Sequence, residues 1–437
     1  MAAVNLHGIK ILHNKSTAES IPKRMSIPKT VTVPVSMHIG APAVPVVKTG
    51  DTVKIGQMIA SAGGYVSSPV YASISGKVKK TENIILANGN AVPAVVIESD
   101  GLAEIYEGIN IPKINGFDDF IKAVSDSGVV GMGGAGFPTH VKLNVKDTSK
   151  VECIIINCAE CEAYITSDTR TMLDLTDEFF DGINIIRRYI GERRFIIGIE
   201  DNKKECIKRL LPYCESNNVE LKILPSRYPT GGEKILVYKT TGKIIPEGKL
   251  PIDVGAVVLN CTTVTAIQKY IRTGMPLIEK TVTVAGSAIR CPQNVIVPIG
   301  TSIRDVIEFC GGYAKEPKKI LYGGPMMGIS VPDDSCPVLK NTNAVLAFDA
   351  EDAKMPVQTE CIRCARCINN CPMNLMPVCM FDAYAHKDAE RLGKLKVNLC
   401  MECGCCSYVC PAKRPLVQTN KLAKAFLKNS ATGGERK

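Results

Sequence analysis

Eight cysteines near the C-terminus repeat one spacing: Cys361, Cys364, Cys367 and Cys371 before Pro372, then Cys400, Cys403, Cys406 and Cys410 before Pro411. Each run reads C-x2-C-x2-C-x3-C-P. Three thiolates at that spacing wrap one face of an iron–sulfur cube, and the fourth turns back to ligate the other cluster. The spacing therefore predicts two 4Fe-4S clusters, one on Cys361, Cys364, Cys367 and Cys410 and one on Cys371, Cys400, Cys403 and Cys406. Zinc is the alternative, but zinc sites come as separated Cys/His pairs rather than three cysteines within seven residues. Cys379 and Cys405 fall outside the pattern and read as small buried residues.

A second stretch, VVGMGGAGFPTHVK (129–142), contains G-x-G-x-x-G through Gly131, Gly133 and Gly136. An ordinary dinucleotide fingerprint follows a strand, opens a helix directly and meets an acid at the end of the next strand. Here a helical pattern precedes the loop, Pro138 and Thr139 interrupt the residues after it, and the acid at that distance, Glu152, begins a strand. The ordinary Rossmann reading is disfavoured. Glycines still let a flat ring or a phosphate approach the backbone, so a ligand loop of another kind is expected beside the plainer reading of a tight packing turn.

The surrounding pattern says what must position these residues. Short apolar runs between Lys29 and Ser99, punctuated by Gly, Pro and Asn, predict a small all-β sandwich. FDDFIKAVSDSG puts Phe117, Ile121 and Val124 on one helical face and stops at Gly128. Four apolar strands (153–157, 195–200, 220–225 and 255–260) then alternate with helices, one of them from Thr169 to Ile190. That alternation predicts a parallel α/β sheet covered on both faces, with ligands at the carboxyl ends of its strands. Mixed β and α from Thr281 to Met327 comes next, then the cysteine domain.

At 437 residues the chain is long enough for several domains, and 45% apolar with 22% charged residues is ordinary for a globular protein. No apolar run reaches membrane-span length, and the first residues lack signal-peptide order, so cytoplasmic synthesis and retention are expected. Nineteen cysteines with cluster spacing point to a reducing compartment. The net charge of +10 calls for an acidic partner or an anionic surface. Nucleic acid is disfavoured by the absence of Trp and by basic residues spread along the chain.

GMGGAGFPTHVK resembles the flavin loop of the NADH-oxidising subunit of respiratory complex I, and NCAECEAYITSDTR (157–170) resembles the acidic segment that follows it there. The whole chain more closely resembles the C-subunit family of Rnf complexes, membrane-bound ferredoxin:NAD oxidoreductases. MHIGAPAVPVVKTGD, SSPVYASISGKV, YPTGGEK, LYGGPMMG and both cysteine motifs fall in that family's order. The resemblance implies a multidomain α/β and α+β chain. Its segments would be an N-terminal arm (1–28), an unmodified lipoyl-like barrel-sandwich (29–105), a parallel α/β FMN/NADH domain (115–276), a β-grasp (SLBB-like) domain (280–345), a two-cluster ferredoxin-type domain (356–411) and a basic tail (412–437). It implies that Gly131, Gly133, Gly134 and Ala135 line the flavin, that Lys142, Asn157, Glu160, Glu233 and Asn260 hold FMN, and that Phe137 and Glu162 meet NADH. The sequence departs from the complex I pattern at Ala159, Gly232 and Cys261.

Plainer readings stand beside these. Asn157 could cap the next turn, Glu160 and Glu162 could be solvated loop acids, and His140 reads as a surface loop residue. Gly63 and Gly64 occupy the hairpin tip where a lipoyl domain carries its lysine, so no attached lipoate or biotin is expected. The implied function is a peripheral subunit on the cytoplasmic face of the membrane, passing electrons between ferredoxin, through partner subunits, and NAD, coupled to Na+ or H+ translocation by other subunits. Rivals are a soluble flavin and iron–sulfur cobalamin reductase and a flavin-free relay subunit. In the tail, seven Lys/Arg against one acid, with Val417, Leu422, Ala425 and Phe426 as an apolar stripe, suggest either a frayed end or a basic helix docking on a partner or anionic lipid.

Overall fold

The computed structural model describes residues 8–145 and 147–433. In the N-terminal part the strands Thr30–Pro34, Ala91–Ser99, Gly76–Ile85 and Thr52–Val53 form an antiparallel sheet in that order. A smaller sheet of Val44–Pro45, Met58–Ser61 and Val70–Tyr71 faces it. Val31, Val33, Val53, Ile59, Val78, Val95 and Ile97 fill the space between the two. This is the expected sandwich.

The four parallel strands lie in the order Glu220–Leu224, Arg194–Glu200, Cys153–Cys158, Ala256–Asn260. Their side chains split by parity, as a two-residue period requires. Ile154, Ile156, Phe195, Ile197, Val257 and Leu259 join the larger core, with Phe179, Ile183 and Ile186 of Thr176–Ile190 and Val264 and Ile267 of Cys261–Thr273. Cys153, Ile155, Ile196 and Val258 meet Leu236 and Val237 of Glu233–Thr241 on the other face. Both faces are covered.

Local details differ from the sequence reading. The helix expected over Thr169 to Ile190 is two, Ser167–Asp174 and Thr176–Ile190, broken at Leu175. In Phe117–Asp126 the buried residues are Phe120, Ile121, Ala123 and Val124, while Phe117 is only half covered.

The third sheet has six strands and takes in more chain than the run to Met327 suggests. It adds Ala344–Phe348 in its middle and Lys23–Arg24 of the N-terminal arm at one edge, parallel to Gln293–Pro298. The cysteine region carries four short helices around its two motifs and is closed by the long helix Leu416–Gly433.

That last helix corrects the reading of the tail. Leu416, Val417, Asn420 and Ala423 are buried, and Phe426 and Leu427 pack beside Met380, Ala383 and Leu392. Leu422 is exposed at 54%, and Ala425 is exposed too. The helix is therefore neither a frayed end nor a stripe offered to lipid over these residues; its apolar face belongs to the cysteine domain. Residues 434–437 of the expected tail and 1–7 of the expected arm lie outside the described residues. Among the described residues no helix is long and apolar enough to cross a membrane.

Candidate functional site

Two asparagines mark the carboxyl edge of the parallel sheet. Asn157 and Asn260 are register partners at the ends of adjacent strands. Asn260 caps the helix Cys261–Thr273, its Oδ1 accepting from Thr262 N at 3.0 Å, while its Nδ2 donates to Asp168 Oδ2 at 2.7 Å. Asn157 accepts from Ala159 N at 3.1 Å, the turn-capping role a strand-end Asn can play, and also donates to Gly231 O at 2.8 Å. Both amides are oriented before any ligand arrives.

The glycine loop lies over this edge. Gly131 N donates to Phe137 O at 2.8 Å and Gly136 N to Gly131 O at 3.1 Å, closing the turn. Met132 N donates to Thr263 Oγ1 at 3.0 Å, Lys280 Nζ to Met132 O at 2.9 Å, and Asn341 Nδ2 to Gly134 O at 2.7 Å. Residues 133–135 are exposed, and among the described residues their three N–H groups have no protein acceptor. Gly134 has φ +133°, and the space a Cβ would take there is open. At Gly133 a Cβ would press on the Asn260 amide at 3.2 Å. Pre-oriented donors above open space, with no side chain in the way, suit a flat ring and an anionic tail. Lys142, from the short helix Thr139–Leu143, adds a cation that pairs with Glu233 Oε1 at 2.7 Å and reaches Val258 O at 3.2 Å. Glu233 opens the helix Glu233–Thr241. The residues present thus fit a flavin mononucleotide.

Glu160 and Glu162 of the 157–170 segment are not solvated loop groups. Glu160 is buried and accepts from Lys203 Nζ at 2.8 Å, Thr169 Oγ1 at 2.6 Å and Asp168 N at 2.8 Å. Burial opposes its charge, but Lys203 and Lys15 hold its pKa below the ordinary carboxylate value. Lys15, on the arm, donates to the carbonyls of Glu160, Glu162 and Ile165, and desolvation pushes it down to about 8. Glu162 accepts from Met326 N at 3.1 Å and Met327 N at 2.8 Å, gripping the GGPMMG loop of the third sheet, and burial raises its pKa.

His140 is likewise not a surface residue. It is buried, with Nε2 3.0 Å from Tyr65 O, and desolvation lowers its pKa. Phe137 is half-buried and contributes its carbonyl to the loop.

Gly133, Gly134, Ala135, Lys142, Asn157, Glu233 and Asn260 therefore gather at the sheet edge, with Gly131 and Phe137 closing the loop. Glu160 stands behind them, linked through Asp168 to Asn260, and Glu162 faces the third sheet. Sequence reasoning misses Asp168, Lys15, Lys203, Lys280 and Asn341. Asp168 lies inside the quoted acidic segment; Lys15 and Asn341 are brought in from far along the chain and carry no local signal.

The cysteines form two cavities. One is lined by Cys361, Cys364, Cys367 and Cys410 with Ile362, Val378 and Leu416. The other is lined by Cys371, Cys400, Cys403 and Cys406, by Cys405 from outside the motif, and by Met373, Leu375, Met401 and Gly404. Each combines three cysteines of one motif with the fourth of the other, and all are free thiols, a donor set that fits iron–sulfur clusters. Around the second cavity Leu375 N donates to Cys371 Sγ at 3.4 Å and Asn420 Nδ2 to Cys400 Sγ at 3.6 Å.

This second cavity adjoins the 228–232 loop, whose Gly231 carbonyl Asn157 holds. Tyr228 Oη donates to Cys403 O at 2.7 Å, and a Cβ on Gly232 would run into the Met401 methyl. Cys405, buried and outside the motif, turns its thiol to Tyr228 O at 3.9 Å, a packing role.

Comparison with known proteins agrees with this geometry. Residues 124–269 match the Nuo51 FMN-binding domain, 5–102 the RnfC barrel sandwich hybrid domain and 281–330 the SLBB domain. The chain is 41% identical to the C-subunit of the proton-translocating ferredoxin:NAD(+) oxidoreductase complex of Clostridium ljungdahlii, over 88% of this chain and 85% of that one. It is 40% identical to the C-subunit of the Na(+)-translocating complex of Acetobacterium woodii, over 80% of each chain. It is also 40% identical to the C-subunit of the ion-translocating oxidoreductase complex of Rhodobacter capsulatus, over 95% of this chain and 81% of that one. Among solved structures an NAD+-reducing [NiFe]-hydrogenase is similar in fold, with a TM-score of 0.50 and 18% identity over 72% of this chain and 61% of the other. With an FMN-binding domain, cluster-type cysteines and this kinship over most of its length, the chain belongs to the C-subunit family of Rnf-type, ion-translocating ferredoxin:NAD oxidoreductase complexes.

Proposed function

We propose that the chain is the NADH/FMN/iron–sulfur subunit of its complex, peripheral on the cytoplasmic face of the membrane, passing electrons between ferredoxin, by way of partner subunits, and NAD. Translocation of Na+ or H+ belongs to other subunits. The observation that carries this reading is the pair of cavities: each unites cysteines from both motifs, and the one lined by Cys371, Cys400, Cys403 and Cys406 packs on the 228–232 loop beside Asn157. Four thiolates in each cavity hold one 4Fe-4S cluster.

Bound FMN supplies the exchange between a two-electron hydride and single electrons. The protein supplies position and field. Gly131, Gly133, Gly134 and Ala135 leave room for the ring, and the unpartnered N–H groups of 133–135 offer it donors. Lys142 gives a positive charge for phosphate or ribityl oxygens, while Glu233 keeps Lys142 aimed. Asn157 and Asn260 present fixed amides at the strand ends, and Glu160 holds Asp168, which in turn holds Asn260. Phe137 is assigned to stacking on the nicotinamide. Glu162, for the NADH role, would act from its seat on Met326 N and Met327 N.

An absorbance spectrum of the anaerobically purified protein, with flavin and iron quantified, tests the reading. One extractable FMN and two four-iron clusters per chain are expected, with bleaching of the flavin by NADH. Cluster absorption without extractable FMN would replace it with the flavin-free relay.

A further inference from the structure

Side chains of the third sheet and of the turn leading into it reach the glycine loop at three carbonyls. Lys340, with no exposed surface, donates from Nζ to Gly128 O at 2.8 Å, Lys280 Nζ to Met132 O at 2.9 Å, and Asn341 Nδ2 to Gly134 O at 2.7 Å. Lys280 belongs to the strand Glu279–Ala285, in register with Val297 of Gln293–Pro298. Lys340 and Asn341 sit in a turn that Leu339 N closes on Thr342 Oγ1 at 3.0 Å, just before the strand Ala344–Phe348. The supports are thus anchored outside the loop they hold.

Peptide geometry gives those contacts a direction. Among the described residues the cis peptide bond is Tyr228–Pro229, so the peptides joining 132 to 133 and 134 to 135 are trans. A planar trans peptide points its C=O and its N–H in opposite directions. Holding Met132 O on Lys280 therefore turns Gly133 N–H away from Lys280, and holding Gly134 O on Asn341 turns Ala135 N–H away from Asn341. These are two of the three N–H groups without a protein acceptor, beside the open space at Gly134. Met132 N is fixed as well, on Thr263 Oγ1 at 3.0 Å.

The two supports differ in charge. Lys280 is 3% exposed and, among the described residues, forms no ion pair. Desolvation pushes its pKa down to about 8 against the pull of Asp168, so it stays protonated at neutral pH. A buried cation is screened little by salt, and on a carbonyl it polarises the peptide and strengthens the N–H at the other end. Asn341 supplies direction without charge.

We propose that Lys280 and Asn341 are positioning residues of the flavin site with separable roles: both aim the loop's N–H groups at bound FMN, and Lys280 alone biases it toward its reduced, more negative form. The proposal deepens the FMN reading above and rests on it. Two electrons and one proton add one net negative charge to the flavin ring, and a fixed cation favours the state with more negative charge. Losing the cation loosens reduced FMN more than oxidised FMN. Losing the neutral amide loosens both alike.

The test takes the full-length, cluster-loaded protein, frees it of FMN and dialyses it anaerobically to equilibrium with oxidised FMN or with FMN reduced by excess dithionite. Lys280→Met, of similar length without the charge, should weaken oxidised FMN about threefold and reduced FMN about thirtyfold. That tenfold gap is a midpoint potential lower by about 30 mV for a two-electron couple. Lys280→Gln keeps a donor but no charge, so it should hold oxidised FMN more tightly than Lys280→Met and show the same gap. Asn341→Ala should weaken both forms about threefold with no gap. Iron content, in the inner cavity of Cys371, Cys400, Cys403 and Cys406 and the outer cavity of Cys361, Cys364, Cys367 and Cys410, should match wild type throughout. Equal loss of both forms in the Lys280 variants at full iron content would overturn the charge role. Wild-type affinity in both Lys280→Met and Asn341→Ala would overturn the positioning role. A wild type that takes up no FMN would refute the functional reading itself, and this proposal with it.

Discussion

Asn420 should set the potential of the inner cluster. Its side chain is 1% exposed, its Nδ2 points at Cys400 Sγ from 3.6 Å, and its Oδ1 is buried without a partner. A hydrogen bond to a charged acceptor contributes about 1.5–3 kcal/mol, and only the part that grows when the cluster gains an electron moves the potential. Taking that part as about 1 kcal/mol, and about 59 mV per tenfold for a one-electron couple, removing the donor lowers the midpoint by about 40 mV. The sign comes from charge: the reduced state is the more negative, so it loses more when the donor goes. Asn420→Leu removes the donor at similar volume and also removes the stranded Oδ1, so the helix should stay docked. A redox titration followed by electron paramagnetic resonance should show the inner signal shifted down and the outer one unmoved. A variant with full iron content and an unshifted inner potential would refute the reasoning.

Three further outcomes rest on the same geometry. Cys371→Ala should remove the signal of the cluster held with Cys400, Cys403 and Cys406 and spare the one held with Cys361, because the cavities exchange their fourth cysteines; selective loss of the Cys361 cluster would contradict this. Truncation after Thr419 removes Asn420 and the Ala423 and Phe426 contacts, at a cost of at least ~3 kcal/mol, and should lower iron content measured against flavin. Glu200 is buried with neither oxygen partnered, and burial pushes it up to about 7, so the unfolded chain gives up that proton from about pH 4.5 while the folded chain keeps it to about 7. Stability therefore falls as pH rises through that window, by up to about 3 kcal/mol, and Glu200→Gln should raise Tm relative to wild type at pH 8 but not at pH 4, followed by flavin fluorescence.

Three of the four parallel strands are legible in the sequence because they are buried on both faces and read as nearly continuous apolar runs; Cys153–Cys158 and Arg194–Glu200 differ from the expected bounds by a single residue. The strand Lys23–Arg24 is not legible. Its partners are Val295 and Ile296, and nothing in a two-residue basic segment announces a pairing that distant. The tail misleads about its phase for a related reason. Leu416, Val417, Asn420, Ala423, Phe426 and Leu427 keep helical spacing, but the polar Asn420 hides the stripe until its amide is seen reaching Cys400. Glu160 and His140 look like loop residues because their partners, Lys203 and the Tyr65 carbonyl, arrive from other elements. What local pattern reveals is burial periodicity; which polar groups burial brings together is decided by contacts it does not contain.

The N-terminal arm shows what those contacts do for electron transfer. Ile9 exchanges two backbone hydrogen bonds with Tyr228, each 2.9 Å, and the Tyr228 hydroxyl donates to Cys403 O. Four residues on, His13 O accepts from Tyr164 N at 2.8 Å, and Lys15 then binds the carbonyls of Glu160, Glu162 and Ile165. Thr17 meets Thr166 at 2.6 Å, and Asn294 of the third sheet donates to Thr17 O at 2.9 Å. One strap thus ties the 228–232 loop, the acidic segment and the third sheet together, and through Tyr228 it reaches the inner cysteine cavity. Separate domains joined only by linkers would move relative to one another by default. Here the spacing between the 228–232 loop and the inner cavity is set by backbone pairing and buried polar contacts rather than by linkers alone.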